Sequence, residues 1–157
     1  MPFWSKLILS VITIEILGGL GAAVTASQIT EWYAGLTKPP GTPPNWLFGP
    51  VWTSLYAMVG GAFALVWHRA KAGPRKRTAM LWFGAQLVLN LAWTPVFFGL
   101  HRLFLALVII VALWCAITIT IAQFRKLQPL AAALMIPYLL WVSYATYLNA
   151  GYWLLNR

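Results

Sequence analysis

The sequence predicts an all-α membrane protein with five transmembrane helices and a structured Pro/Trp-rich loop between the first two. Of its 157 residues, 61% are hydrophobic and only 8% are charged, whereas an ordinary soluble domain is about 25% charged. So few charges cannot cover a water-facing surface. Five stretches also reach the length of about 20 mostly apolar residues that a spanning helix needs. The chain length predicts a single domain over residues 1–157.

The five apolar stretches place the helices at approximately residues 6–27, 46–69, 79–100, 103–124 and 129–154. The first stretch is interpreted as a retained helix rather than a signal peptide, because no charged targeting region and no small-residue cleavage site accompany it. Small residues recur on it every four positions, as in Gly18/Ala22 and Gly19/Ala23. Such pairs let helix backbones approach closely in lipid, either within the bundle or across a dimer.

Glu15 is the only acidic residue inside an apolar stretch. Burying an ionised carboxylate in a membrane is costly. The side chain is therefore predicted to be protonated, hydrogen-bonded or next to an aqueous pocket. A functional role and a simple packing hydrogen bond are both open alternatives.

The loop of residues 28–45 contains two proline pairs, Pro39–Pro40 and Pro43–Pro44. Proline fixes φ, removes a backbone donor and pushes the preceding residue into extended geometry. A helix cannot continue through this segment, which is predicted to be a stiff connector flanked by Trp32 and Trp46. Such a loop at the mouth of a membrane bundle suits a lid over a site for a flat apolar ligand.

Basic residues lie mostly between the apolar stretches, where they report topology. One side of the membrane carries eight of them: Lys6, Arg69, Lys71, Arg75, Lys76, Arg77, Arg125 and Lys126. The opposite side carries three: Lys38, Arg102 and Arg157. This asymmetry predicts a cytoplasmic amino terminus, with the carboxyl terminus and the Pro-rich loop on the other face. It also explains the net charge of +9 without nucleic-acid binding.

Three predicted helices combine aromatic stripes with polar groups or prolines. The second helix carries Trp52, Tyr56, Phe63 and Trp67, and the fifth carries Pro137, Tyr138, Trp141, Ala145 and Asn149. On the third helix, the amides of Gln86 and Asn90 lie one turn apart and are expected to face the bundle or a cavity, because amides in hydrocarbon need partners. Pro95 is expected to kink the end of this helix. The fourth helix is expected to serve in packing.

The ends of these helices predict a binding pocket. The start of the second helix and the ends of the third and fifth lie on the same side as the Pro-rich loop. A pocket for a flat hydrophobic ligand with a few orienting polar groups is therefore expected there. The residues that are expected to gather at its mouth are Trp46, Trp52, Trp93, Phe97 and Asn149.

Conventional catalysis has little support in the sequence. The chain contains two acidic residues, two histidines and one cysteine. His68 and His101 lie near helix ends with no carboxylate close by in sequence, and Cys115 lies within an apolar stretch. No metal-ligand spacing, catalytic triad or phosphate-binding glycine loop is present, so no metal site is predicted. Any chemistry would have to come from a bound ligand and the abundant tryptophans.

Three motifs occur in order along the chain: WYAGLTKPP followed by PPNWLFGPVWTSLY, then QLVLNLAWTPVFFG, then PYLLW followed by TYLN. Together they resemble the translocator protein family, also called tryptophan-rich sensory protein (TSPO), from Trp32 to Asn149. The resemblance implies a five-helix bundle, often dimeric, that binds porphyrins, sterols and synthetic aromatic ligands beneath the first loop. It implies no covalent cofactor, and a porphyrin such as protoporphyrin IX or a haem-like tetrapyrrole as ligand. Members occupy bacterial membranes, which we favour here, or the mitochondrial outer membrane.

The resemblance also implies the residues of the ligand pocket, which are Tyr33, Pro43, Trp52, Asn90, Trp93, Trp141 and Ala145. Trp52 and Trp141 match the tryptophans that some bacterial members need for light-dependent porphyrin breakdown, so they are catalytic candidates if that reaction occurs. Gly41 departs from the family, because many members have an aromatic residue at this position. The departure removes a ring from the lid and bears on ligand affinity or choice.

A carboxyl-terminal sterol motif of the family combines an aliphatic residue, a tyrosine and a basic residue at loose spacing. Leu148, Tyr152 and Arg157 satisfy this pattern, which is only hypothesis-grade. An interfacial Tyr/Arg anchor at the helix end is the simpler interpretation.

The sequence leaves several functions open. The leading hypothesis is a membrane receptor or sensor for tetrapyrroles, linked to tetrapyrrole handling and stress signalling. The alternatives are light-dependent porphyrin degradation in the same pocket, transport of tetrapyrrole or sterol across the membrane, and a small packing or assembly subunit. No inverted repeat and no paired intramembrane charges support transport.

Overall fold

The computed structural model describes all residues from 1 to 157. It contains five helical segments that are long and apolar enough to cross a membrane. They are α1 (Phe3–Glu31), α2 (Asn45–Arg69), α3 (Pro74–Thr94), α4 (Leu103–Leu127) and a fifth segment divided into α5 (Pro129–Leu134) and α6 (Ile136–Leu155). There are no strands. The predicted class, an all-α membrane protein with five spans, is confirmed.

Several helices extend beyond the apolar stretches. α1 ends at Glu31 rather than near residue 27, because polar residues end a hydropathy window without breaking a helix. The first loop therefore covers residues 32–44 and includes one 3₁₀ turn, Tyr33–Gly35. α3 begins at Pro74 rather than near residue 79, since proline is well suited to the first turn of a helix.

Prolines mark the two irregular places in the bundle. At the end of α3, Pro95–Gly99 forms a π-helical turn, in which the Leu100 amide donates to the Pro95 carbonyl at 2.9 Å. In the fifth segment the helix breaks at Met135, two residues before Pro137. Pro137 has no amide hydrogen and fits the first turn of a new helix. The predicted kink at Pro95 thus takes the form of a widened turn.

The core lies among α2, α3, α4 and α6. α4 packs against both α3 and α6 and buries Ile110, Leu113, Ile117 and Phe124. α1 is the most exposed helix, because it contacts mainly α2 and leaves a face of large apolar side chains uncovered: Ile8, Ile12, Ile16, Leu20 and Val24. In a membrane this face meets lipid.

α1 and α2 form an antiparallel pair that touches closely at one end and opens at the other. A Cβ atom added at Gly60 would lie 2.8 Å from the Val11 Cα atom, so the two backbones are in direct contact there. Towards the first loop the helices separate, and aromatic side chains of α2 occupy part of the space. The remaining space is a cavity.

Candidate functional site

The cavity has a volume of about 400 Å³ and lies beneath the first loop, between α1, α2, the end of α3 and α6. A volume of this size lies within the range typical of small-molecule sites. α1 supplies one wall from Glu15 to Ile29, which corresponds to about 21 Å along the helix axis. The residues that line the cavity are Glu15, Gly18, Gly19, Ala22, Thr25, Ala26, Ile29, Tyr33, Asn45, Phe48, Gly49, Trp52, Thr53, Tyr56, Trp93, Thr94, Phe98, Trp141 and Ala145.

Aromatic rings make up the wall opposite α1. Trp52 and Trp141 meet edge to face, with centroids 6.5 Å apart and planes at 89°. Trp52 also packs against Tyr56 at 5.2 Å, and Phe48 against Trp141 at 6.1 Å. These contacts hold the rings in fixed orientations. The cavity therefore presents preformed aromatic surfaces to a flat ligand.

A chain of hydrogen bonds lies behind the aromatic wall. The Tyr56 hydroxyl donates to Asn90 Oδ1 at 2.9 Å, and Asn90 Nδ2 donates to the Tyr138 hydroxyl at 2.9 Å. The Tyr138 hydroxyl donates in turn to Gln86 Oε1 at 2.9 Å. Gln86 and Asn90 are both buried, as expected from their spacing. Asn90 therefore orients Tyr56 and Gln86 orients Tyr138, and neither amide lines the cavity.

Trp93 is oriented by a separate pair of bonds. Its indole Nε1 donates to Asn149 Oδ1 at 2.9 Å, and Asn149 Nδ2 donates to the Leu103 carbonyl at 3.0 Å. Asn149 itself is buried and does not line the cavity. It ties the ends of α3 and α6 to the start of α4 and so sets the angle of one aromatic wall.

Trp141 differs from the other cavity tryptophans in the environment of its indole nitrogen. Its Nε1–H group is shielded from solvent and has no hydrogen-bond partner in the protein. Buried polar groups without partners are uncommon and costly. Trp141 lines the cavity with other atoms of its side chain, because the nitrogen itself has no surface open to the cavity.

The first loop is fastened to the outer half of α6. Asn156 brackets the backbone of Thr37, accepting from its amide at 2.8 Å and donating to its carbonyl at 3.0 Å. The Tyr147 hydroxyl donates to the Pro40 carbonyl at 2.9 Å, and the Tyr144 hydroxyl donates to the Gly41 carbonyl. Proline-rich backbone has carbonyls without matching amides, so these side chains satisfy acceptors that the loop cannot satisfy itself.

Gly41 lies at a turn of the loop with a φ of 82°. This is the left-handed region that glycine adopts without steric cost. The structure thus gives a physical reason for glycine here. A larger residue at this position would adopt strained backbone, and a Cβ atom would lie 3.8 Å from the Tyr144 hydroxyl.

Tyr33 links the first loop to α6. It is buried, and its hydroxyl accepts a 2.6 Å bond from the hydroxyl of Tyr152. Burial, together with this bond, raises the pKa of Tyr33. The side chain therefore remains an uncharged phenol at neutral pH and contributes an aromatic surface to the cavity mouth.

The structure brings together five of the nine ligand-binding candidates at the cavity wall: Tyr33, Trp52, Trp93, Trp141 and Ala145. Asn90 lies one layer behind. Phe97 is buried in a small cluster with Tyr33, Leu148 and Tyr152. Pro43 and Trp46 are not among the lining residues, and the Trp46 side chain is 71% exposed.

The three sterol-motif candidates do not share a surface. Leu148 and Tyr152 are 5% and 2% exposed, so both face the protein interior. Arg157 is exposed, and its guanidinium lies 5.6 Å from the centre of the Trp153 ring. The arginine and its neighbouring tryptophan form an anchor of the interfacial kind.

The wall that α1 contributes is the part of the site that the sequence patterns did not identify. Gly18, Gly19 and Ala22 line the cavity, whereas their spacing predicted helix–helix packing alone. Gly18 does both, because Tyr56 packs against it. The available signal was the small size of these residues beside an aromatic stripe on the next helix, since small side chains leave room for a ligand.

The fold and the site define a class: a five-helix membrane protein with an aromatic cavity under a proline-rich loop. The sequence model of the TspO/MBR family matches residues 10–154 of the chain. The chain is 39% identical to the tryptophan-rich protein TspO of Archaeoglobus fulgidus, over 96% of this chain and 97% of the relative. It is 38% identical to the human translocator protein, over 85% and 80%, and 37% identical to the tryptophan-rich sensory protein of Cereibacter sphaeroides, over 87% and 85%. The chain belongs to the TspO/MBR family, which confirms the resemblance found in its motifs.

Proposed function

We propose that this protein is a membrane receptor for a flat aromatic ligand of the tetrapyrrole class, bound in the cavity between α1, α2 and α6. The observation that carries the proposal is the aromatic wall, where Trp52 and Trp141 stand at 89° to each other around a space of about 400 Å³. Large planar ligands gain both buried apolar area and ring contacts in such a site.

The roles of the residues follow from their positions. Trp52, Trp93 and Trp141 supply ring surfaces to the cavity. Tyr33 forms the wall at the mouth. The first loop covers the site as a lid. Four side-chain hydrogen bonds hold it in place, one each from Tyr144 and Tyr147 of α6 and two from Asn156, which follows α6.

Protoporphyrin IX is a suitable probe for the test. The purified protein in lipid nanodiscs is titrated with it while tryptophan fluorescence is recorded. We expect Trp52→Ala and Trp141→Ala each to weaken binding by about tenfold or more, since deleting a buried aromatic anchor costs about 2 kcal/mol or more. Trp4→Ala is the control, because Trp4 is 70% exposed and lies at the other end of α1. Unchanged affinity in both cavity variants would contradict this site.

A second candidate function is light-dependent breakdown of the bound porphyrin. It is favoured by the edge contact between Trp52 and Trp141, which offers two redox-capable indoles next to the same ligand. Illumination would then remove the porphyrin absorbance band and yield a new product, and Trp52→Phe would abolish the reaction while binding persists. If the porphyrin absorbance stays constant under illumination in air, the degradation hypothesis is wrong and only the receptor function remains.

The proposed receptor acts as a homodimer in a bacterial membrane, as the family resemblance implies. The mass of the detergent-free particle, measured by light scattering on nanodiscs of known lipid content, tests the dimer. A single copy per particle at all protein concentrations would contradict it. The carboxyl-terminal residues give no support to a separate sterol site, because Leu148 and Tyr152 are buried.

A further inference from the structure

The inner end of the cavity holds an acidic side chain. Glu15 is the one charged residue among those that line the cavity, which include no lysine, arginine or histidine. It lies near the middle of α1, fourteen residues before Ile29 at the loop end, so it is about 21 Å deeper along the helix. The cavity therefore has a single ionisable group, and that group is an acid.

The Glu15 carboxyl group has no partner in the protein. No hydrogen bond and no opposite charge from another residue engages it. The hydroxyl of Tyr56, which also lines the cavity, donates its proton to Asn90 rather than to Glu15. A carboxyl group in the membrane interior without a partner is costly, and such residues face cavities or mark ligand sites. The half-exposed carboxyl group is therefore available to a donor on a ligand in the cavity.

The aromatic walls favour the same kind of ligand. The negative faces of tryptophan and tyrosine rings attract a cation, most strongly where water is excluded. The Tyr56 ring lies against Gly18, three residues along α1 from Glu15, and Trp52 packs beside Tyr56 with centroids 5.2 Å apart. An acid beside aromatic faces is a suitable environment for a protonated or N–H nitrogen in a flat ring system.

The mouth of the cavity has the opposite polarity. The Lys38 ammonium group lies 5.8 Å from the centre of the Tyr33 ring, and Tyr33 lines the cavity beneath the loop. An anionic substituent on the ligand would thus be placed at the loop end. The site is polarised along its length, with an acid inside and a cation outside.

We propose that Glu15 is the specificity-determining residue of this cavity, selecting flat ligands that present a nitrogen donor to the inner end of the site. This rests on the proposed function, which requires a flat ligand in the same cavity. In a tetrapyrrole, the pyrrole N–H groups are donors of this type, and the acidic side chains of the macrocycle would lie towards Lys38.

The test uses two flat three-ring probes of opposite charge, 9-aminoacridine and anthracene-9-carboxylate. The full chain is placed in nanodiscs of uncharged phosphatidylcholine, so that partition into lipid does not favour either sign. We expect Glu15→Gln to weaken 9-aminoacridine about tenfold, equivalent to about 1.4 kcal/mol, and to leave the carboxylate probe unchanged or tighter. Glu31→Gln is the matched control, because it removes the same charge from the exposed loop end of α1 and should change neither affinity.

Two results would overturn the inference: equal affinity of wild type and Glu15→Gln for 9-aminoacridine, or an equal loss for both probes. The second result would show that Glu15 only shapes the cavity. Protoporphyrin IX titration of the same samples separates the two proposals. If wild type binds protoporphyrin IX but Glu15→Gln does not alter probe selectivity, only the role of Glu15 is wrong. If wild type binds none of the three compounds, the proposed receptor function fails as well.

Discussion

Position 18 of α1 accepts only glycine without rearrangement. A Cβ atom there would lie 2.1 Å from Tyr56 Cε2 and 2.7 Å from two further ring atoms. The Tyr56 ring cannot move freely, because its hydroxyl is bonded to Asn90. The size of one residue on α1 thus controls the position of an aromatic wall on α2.

Gly18→Ala is therefore expected to destabilise the protein by about 1–3 kcal/mol, the usual cost of overpacking, and to weaken protoporphyrin IX binding by displacing Tyr56. Gly84→Ala is the control, because Gly84 is also helical, lies outside the cavity lining and has nothing within 4 Å of an added Cβ. Thermal unfolding in nanodiscs measures stability, and tryptophan quenching measures binding. Equal effects at both positions would contradict the contact with Tyr56.

The buried hydrogen-bond chain predicts a second residue-scale effect. Tyr138→Phe would leave Asn90 Nδ2 and Gln86 Oε1 without partners in the core. Each unsatisfied buried group costs about 1–3 kcal/mol. We expect a large loss of thermal stability, whereas Tyr147→Phe, which removes an exposed bond to Pro40, should have a much smaller effect. Comparable losses in the two variants would rule out the chain as a major source of stability.

At the scale of elements, α6 and the first loop act as a unit. A close approach of the two backbones makes this possible, since a Cβ atom at Gly151 would lie 2.5 Å from Pro39 Cβ. Pro39 is buried in this contact, and the side-chain bonds from Tyr144, Tyr147 and Asn156 surround it. The first loop follows α1 in the chain but is held in place by contacts with α6 and the residue after it.

Gly151→Ala should separate the first loop from α6 and expose it. The expected readouts are faster hydrogen exchange over residues 36–44 and faster protoporphyrin IX release, because the lid would open more often. Gly35→Ala is a control on the loop itself, where an added Cβ meets nothing within 4 Å. Unchanged exchange in Gly151→Ala would show that Pro39 does not secure the loop.

At the scale of the whole molecule, five spans put the two termini on opposite sides of the membrane. The three segments with most of the basic residues, near Lys6, residues 69–77 and residues 125–126, all lie at the same end of the bundle. From the positive-inside rule we predict that this end lies in the cytoplasm. On this prediction, the first loop and the cavity mouth face the opposite side.

Labelling of single cysteines checks this orientation. In a Cys115→Ser background, Lys71→Cys should react with a membrane-impermeant maleimide only after the cells are opened, and Lys38→Cys should react in intact spheroplasts. Both lysines are exposed and lie in loops, so a lack of reaction reports sidedness rather than burial. The reverse pattern would place the cavity mouth on the cytoplasmic side.

The class of protein, the number of spans and the family follow from the sequence alone. Hydropathy over about 20 residues is a local property, and the three motifs are contiguous strings. The tryptophans at positions 52, 93 and 141 were also identified from the sequence, because they lie within those strings and at helical spacing.

The tertiary structure alone decided which side chains face the cavity. Rotation of a helix about its axis determines whether Glu15 faces lipid or the cavity, and whether Asn90 lines the cavity or supports Tyr56 from behind. It also separates Leu148 and Tyr152, which are buried, from Arg157, which is exposed. In a chain that is 61% hydrophobic, both faces of most helices are apolar, so no amphipathic pattern specifies this rotation and only the contacts between helices do.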